Sequence, residues 1–532
     1  MIDCLFIGHN EMDLTKNRQL LRLKYGHNSH NYTETNKFNL GYIKYKGKLH
    51  TPIHIYNALK SESVNRASAG SANIGEIFSL TIAYLASYLH KRGFSFDYIN
   101  SFNEDRNLLV QKLQENNIRT IIIPTTYYLS PIPIVEIMQT VKKYNNTAKV
   151  IIGGPFIFNQ VRDLCNQEMQ KLLTRIGADI YIYSIEGEEA LARTISAVKN
   201  GLSLNNINNV IYNHAGVYQF TSVQKEENSL DENPVNWKLF SESLNSNINI
   251  RTSNSCLFSC AFCSFPKSSG KYRIANLETV ENELNMLRDI GNVTAISFID
   301  DTFNFPPDRL KNMLRMMIKN KYKFKWNSFF RCQHADQEMI ELMQESGCIQ
   351  VFCGIESGNQ QILNNINKKT SLDKYEEVLE MLHKHNIMTV ASFIVGFPGE
   401  THDTYFDTFN FIERTKPTFF RARLWWYDNN APIYEHREKF KLVGKDYEWS
   451  HETMDSNTAQ GLADNMLLSI KNSTHVADYP IPFDLVNKGL SKERVVDFMK
   501  AFNMSVREVL LNKYQIKENP KIIEKLRRII VG

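Results

Sequence analysis

Over the first two hundred residues, short apolar runs alternate with stretches of helical period. The runs at 2–8, 94–99, 120–124, 149–153 and 179–183 have strand length and are apolar almost throughout, the pattern of strands covered on both faces of a parallel sheet. The helical periods between them predict βαβ units, so residues 1–200 read as a doubly wound α/β domain. One stretch breaks the rhythm. Residues 9–72 are rich in Asn, His, Lys and Tyr and far exceed a βα loop, which predicts a functional insertion or lid.

Residues 201–247 mix Asn, Ser and Pro around a hairpin at 209–224 and read as a linker. A second alternating series follows, with strands at 248–253, 294–300, 325–331, 349–355, 390–397 and 421–426. Helical periods at 277–290, 336–346 and 373–385 separate them at a spacing of about 30 to 40 residues, the rhythm of a βα barrel. Six units over 248–430 make a partial (βα)6 barrel. Residues 431–532 turn irregular and end in helical segments near 492–511 and 521–531, which predicts a mainly helical C-terminal cap.

Composition narrows the class. A chain of 532 residues is too long for one hydrophobic core, and 42% apolar with 22% charged residues is ordinary for globular proteins. The net charge of +5 is spread without a basic run, so nucleic acid is not called for. The longest apolar segments, such as 77–89, fall short of a bilayer span, and the N-terminus lacks a basic start before its apolar stretch. A cytoplasmic protein with no membrane partner is expected. GxGxxG is absent, so no dinucleotide is indicated.

Eight cysteines are too few for a disulfide scaffold, yet Cys256, Cys260 and Cys263 crowd into SCLFSCAFC just after the first strand of the second series. Structural zinc wants four ligands, and the next Cys or His, Cys332, lies 69 residues on. Three thiolates suit a four-iron cluster with one open iron that can chelate a small molecule. A zinc knob completed from afar, or coincidence, is the alternative.

The C-x3-C-x2-C loop resembles the signature of the radical S-adenosylmethionine (SAM) enzymes. The resemblance implies that Cys256, Cys260 and Cys263 bind a [4Fe-4S] cluster whose open iron takes SAM, and that an electron donor of the flavodoxin or ferredoxin type drives cleavage to methionine and a 5'-deoxyadenosyl radical. It also implies cofactor-binding roles around the barrel mouth. Phe262 would neighbour the adenine, Asp301 the SAM ammonium, and Arg331 the SAM carboxylate. Glu356 and Ser357 would bond the ribose and methionine moiety, and Phe397, in VGFPGE, would pack on adenine.

The first domain resembles the Rossmann-like cobalamin-binding domain that precedes the barrel in one subclass. The likeness rests on residues 71–75, on Thr125, Thr126, Tyr127 and Tyr128, on Gly153, Gly154 and Pro155, and on Glu186 and Gly187, all at carboxyl ends of strands, where such sheets bind ligands. Small residues let backbone approach a flat corrin, and Thr125, Thr126 and Ser130 offer hydroxyls to its amide rim. The D-x-H-x-x-G loop that supplies a cobalt ligand elsewhere is missing, which implies Tyr127, Tyr128 or Leu129 against the metal. A plain scaffold without cofactor is the alternative.

These resemblances imply a cobalamin-dependent radical SAM methyltransferase that moves a methyl group from SAM via methylcobalamin to an unactivated phosphorus or carbon centre. The stretches IDCLFIGHNEMD, FIDDTFN, FFRC, FRARLWWY and WSHETMD are most similar to the branch that includes the phosphinothricin-type P-methyltransferase. The implied substrate is a natural-product intermediate, free or linked to a carrier or peptide. Arg421 and Arg423, at alternating strand positions, form with His451 and nearby aromatics a candidate catalytic anion pocket. Ring contraction or cyclisation with the same cofactors, and a non-catalytic cobalamin or iron–sulfur sensor, are the competing readings.

Overall fold

The computed structural model describes residues 1–11, 38–63, 77–115, 117–513 and 515–532. The 71–75 segment therefore lies outside the described residues. Contacts group the chain into two compact units, one from residues 1–13, 74–255 and 267–293, the other from 14–73, 256–266 and 294–532.

The first unit is built on the strands β1 (Ile2–His9), β2 (Phe96–Ser101), β3 (Ile118–Pro124), β4 (Lys149–Gly153) and β5 (Ile180–Ile182). They run parallel in the order β2-β1-β3-β4-β5. Helices such as Leu80–His90, Arg106–Glu115 and Ile132–Tyr144 fall between them, which is the doubly wound arrangement the apolar runs predict. Gly8 allows the close approach of β1 and β2, because a Cβ there would sit 2.0 Å from the Asn100 carbonyl oxygen.

The stretch read as linker contributes to this unit. The hairpin β6 (Val210–His214) and β7 (Val217–Phe220) adds two antiparallel strands beside β5. Beyond it Trp237 is fully buried and donates its indole N–H to Glu283 at 3.1 Å, pinning the segment to the helix Leu277–Ile290. Asn247–Ile250 and Ser253–Asn254 occupy the first strand position of the second series, and contacts place them with the first unit.

In the second unit, β8 (Ala295–Phe298), β9 (Lys325–Phe330), β10 (Cys348–Glu356), β11 (Met388–Val395), β12 (Phe419–Leu424) and β13 (Thr474–His475) follow one another in parallel. β13 has no counterpart among the predicted strands. One sheet face meets the intervening helices, as where Phe393 packs on Phe411 of His402–Thr415. The other carries Val390 and Phe419 against the C-terminal helices Pro480–Asn487 and Lys492–Leu511.

Residues 38–63 of the 9–72 insertion join this C-terminal layer. The hairpin Ile43–Tyr45 and Lys48–His50 leads into the helix Pro52–Ser63, whose Ile55, Tyr56 and Leu59 share a core with Phe498, Ile522, Ile523 and Leu526. Among the described residues no helix is long and apolar enough to cross a membrane.

Candidate active site

The loop from Cys256 to Cys263 is held by backbone. Ala261 donates to the Ile366 carbonyl at 2.7 Å and accepts from Ile433 at 2.9 Å, and Cys263 donates to the Cys260 carbonyl at 3.0 Å. The Asn367 amide ties down the Ser259 carbonyl at 2.9 Å. All three thiols are free, with Cys260 buried and the other two half-buried. Burial raises the Cys256 thiol and pushes Cys263 up to about 11, each cysteine feeling the Cys260 charge. Bare protein thus favours thiols, and bound iron would have to draw out the protons.

Arg331 braces this loop. Its guanidinium lies 3.7 Å over the Phe258 ring, Nη1 reaches the Cys260 sulfur at 3.8 Å, and Nη2 donates to the Lys368 carbonyl at 3.3 Å. With the Gln333 amide turned to satisfy both groups, its oxygen accepts from Nε at 2.9 Å and from Nη2 at 2.8 Å. Asn304 clamps the Arg331 backbone through both its N–H and its carbonyl, at 2.9 and 2.8 Å. The arginine assigned to the SAM carboxylate is thus already engaged with a cluster thiol. Asp301 is open to solvent but walled in, and that enclosure together with Asp300 raises its carboxyl to about 7.

At the end of β10 the chain bulges between Gly354 and Glu356, and Glu356 takes φ +71°, a strained value for a residue with a side chain. Its carboxylate pairs with Lys368 at 2.8 Å, both side chains under one-tenth exposed. A Cβ on Gly354 would meet that carboxylate at 2.5 Å, so glycine is required for the pair to form. Phe262 faces the Lys368 ammonium at 6.0 Å. Ser357 is fully buried, its hydroxyl 3.1 Å from that of Thr408.

The turn after β11 is similarly built. Gly396 has φ +89°, and a Cβ on it would strike the Trp449 ring at 2.4 Å. The buried Glu400 carboxylate accepts the Gly396 N–H, and burial raises its pKa to about 8. Phe397 is buried against Trp425, whose carbonyl accepts from the Trp449 indole at 2.9 Å. His451 stacks on Trp449 at 5.3 Å, with Nε2 3.2 Å from the Gly396 carbonyl and Nδ1 3.1 Å from the Thr453 hydroxyl. Burial lowers its pKa, and one nitrogen is held by the turn and the other by Thr453. Arg421 and Arg423 neighbour each other on β12, where Arg423 donates to the Ala477 carbonyl at 2.7 Å.

In the first unit the candidate residues gather at the carboxyl ends of β3, β4 and β5. Thr125 is buried and bonds the Gly153 carbonyl through both its N–H and its hydroxyl at 2.8 Å. Gly154 has φ +110°, and a Cβ there would meet the Thr125 hydroxyl at 3.0 Å; one on Gly187 would meet Ile182 at 2.7 Å. Pro155 opens the next helix. Thr126 is 3.1 Å from the Thr81 hydroxyl, and Glu186 pairs with Arg273. Tyr128 is buried under His9, its hydroxyl accepting from the Asn10 N–H at 2.8 Å, whereas Tyr127 and Leu129 are 55% and 92% exposed. These glycines let the turns at the strand ends pack against Thr125 and Ile182, with Tyr127 and Leu129 exposed nearby in sequence.

Phe258, Asn304, Gln333, Lys368 and Glu400 carry much of this geometry and were not among the sequence candidates. The acid of VGFPGE and the Asn of FIDDTFN were the signals available for two of them. Among the described residues no three His, Cys, Asp or Glu gather around a single metal ion.

Three free cysteines on an anchored loop, in the same unit as a parallel βα sheet, are the candidate ligands of an iron–sulfur cluster. Residues 250–412 match the Radical SAM superfamily, which implies a [4Fe-4S] cluster and SAM. The chain is 24% identical over 338 residues to an uncharacterized methyltransferase of Pyrococcus horikoshii, covering 60% of this chain and 72% of that one. It is 25% identical over 377 residues to the anaerobic magnesium-protoporphyrin IX monomethyl ester cyclase of Rubrivivax gelatinosus, covering 66% and 65%. Its fold matches that of the radical S-adenosylmethionine methyltransferase TsrM of Kitasatospora setae, solved with cobalamin and a [4Fe-4S] cluster bound. That match has a TM-score of 0.61 at 15% identity and covers 81% of this chain and 97% of the other. Residues 250–412 are thus a radical SAM domain, and the chain has the fold of TsrM and of the cobalamin-dependent S-adenosylmethionine radical enzyme OxsB.

Proposed function

We propose that this enzyme is a cobalamin-dependent methyltransferase acting on an unactivated phosphorus or carbon centre of a natural-product intermediate, free or carrier-linked. The observation that carries the reading is the joint presence of the braced Cys256–Cys260–Cys263 loop and, in the other unit, of the candidate corrin-facing residues gathered at the carboxyl ends of β3, β4 and β5. Bound at these places, the iron–sulfur cluster with SAM would supply a carbon radical able to abstract hydrogen, and cobalamin would supply the methyl group.

The chain's own residues bind and orient. Cys256, Cys260 and Cys263 hold iron, while Arg331 fixes the Cys260 thiol and lends it a charge-assisted hydrogen bond. The Gly396–Phe397 turn, backed by Trp449 and His451, holds the end of β11 rigid, while Phe397 itself is buried against Trp425. Gly153, Gly154 and Gly187 pack the carboxyl ends of the strands tightly, and the exposed Leu129 and Tyr127 would meet a corrin bound there. An electron donor of the flavodoxin or ferredoxin type completes the set of partners.

The test is anaerobic reconstitution with iron, sulfide, cobalamin and SAM under a low-potential reductant. The expected products are 5'-deoxyadenosine, and S-adenosylhomocysteine once a methyl acceptor is present, with Cys256→Ala yielding neither. Failure of the wild-type protein to cleave SAM would end the reading. The similarity to a cyclase favours a second reading, ring formation with the same cofactors. That reaction would release no S-adenosylhomocysteine.

A further inference from the structure

The inner face of the second sheet is identified by what covers it. Register sets Phe352, Val390 and Phe419 side by side on β10, β11 and β12, the face that packs on the C-terminal helices. Tyr479 closes this packing, its ring 4.8 Å from Phe329 and 5.3 Å from Phe352, while its carbonyl accepts from Gln350 at 2.7 Å. Two residues further along each strand, on the same face and beyond that aromatic floor, come Gly354, Ser392 and Arg421 in register. All three are half-buried. The coverage stops where the strands approach their carboxyl ends, which is where βα enzymes bind their ligands.

Arg421 is the only charged side chain of that row, and its needs are poorly met within the protein. Its Nε is buried without a hydrogen-bond partner. Its nearest carboxylate is Asp478, 3.9 Å from Nη1 and 59% exposed, beyond hydrogen-bond reach. Glu356 also lies within electrostatic range, but its carboxylate is held by Lys368. The neighbouring Arg423 adds a like charge, and with burial it lowers the Arg421 pKa to about 10. A guanidinium offers five donors in a planar fork, and leaving an enclosed one unused is costly unless a ligand takes it.

We infer that Arg421 recognises an oxyanion on the substrate, a carboxylate or a phosphorus oxyanion, seated on the inner face of the sheet above the Phe329–Phe352–Tyr479 floor. The inference rests on the proposed function for the site's being a substrate site, and it names the substrate's chemical class. Arg423, exposed and bonded to the Ala477 carbonyl, sets the local field and does not seat the anion.

The test uses the anaerobically reconstituted protein and two probes, dimethylphosphinate followed by 31P line broadening and 13C-acetate followed by 13C line broadening. At millimolar probe the wild-type protein broadens at least one signal, and the one more strongly bound names the anion. Arg421→Gln raises the dissociation constant at least about tenfold. Arg421→Lys keeps the charge but loses the fork and gives an intermediate value, which covers the case in which Arg421→Gln does not fold. Absence of broadening with wild type, or equal binding by Arg421→Lys and wild type, overturns the inference. Probe binding requires no turnover of SAM, so failure here is separate from failure of SAM cleavage.

Discussion

At the scale of single residues, Arg331 shows how a site differs from its motif. The cysteine spacing was legible because its three members are close in sequence. What braces them was not legible: Phe258, Asn304 and Gln333 reach Arg331 only through space. A hydrogen bond from a cation to a cluster sulfur stabilises the more negative, reduced state. Arg331→Leu should therefore shift the cluster midpoint to a more negative potential, read by EPR-monitored redox titration, while iron content per chain stays near wild type. The buried Lys368–Glu356 pair is a second residue-scale case. Removing one partner strands the other's charge, so Lys368→Met should destabilise the folded enzyme by about 3 to 5 kcal/mol in urea unfolding.

At the scale of elements, the strands were read well where apolar runs are long. The predicted 94–99, 349–355 and 421–426 emerge as Phe96–Ser101, Cys348–Glu356 and Phe419–Leu424. Thr474–His475 was missed because two residues leave no period to detect. The turn after β11 carries the element-scale prediction. Burial raises the Glu400 carboxyl from its ordinary 4.5 to about 8, so between those values the folded chain holds a proton that the unfolded chain has released. Stability must then fall as pH rises through that window, by up to about 1.4 kcal/mol per pH unit, and it is fully present only below pH 4.5. Glu400→Gln should flatten this slope in thermal melts between pH 5 and 8 while leaving the acid limb alone.

At the scale of the whole chain, the sequence separated N-terminal from C-terminal residues that folding unites. The periodicity of 492–511 and 521–531 predicted helices, and composition marked 9–72 as an insertion. Nothing along the chain said that the described part of one would pack on the other, because a non-local contact leaves no period in either partner. The helix Pro520–Val531 buries Ile522, Ile523 and Leu526 in the core that holds Ile55, Tyr56 and Leu59. Arg527 also reaches Glu62 at 3.1 Å, but both side chains are about one-third exposed, so that pair adds under about 1 kcal/mol. The three apolar side chains are worth roughly 1.5 to 3 kcal/mol each, a large part of the margin of a folded domain. Ending the chain after residue 515 should therefore lower the melting temperature by several degrees and open the hairpin–helix 43–63 to limited proteolysis. Arg527→Ala should do neither. Equal protease resistance of the truncated and full-length chains would show that the N-terminal segment is held by other contacts.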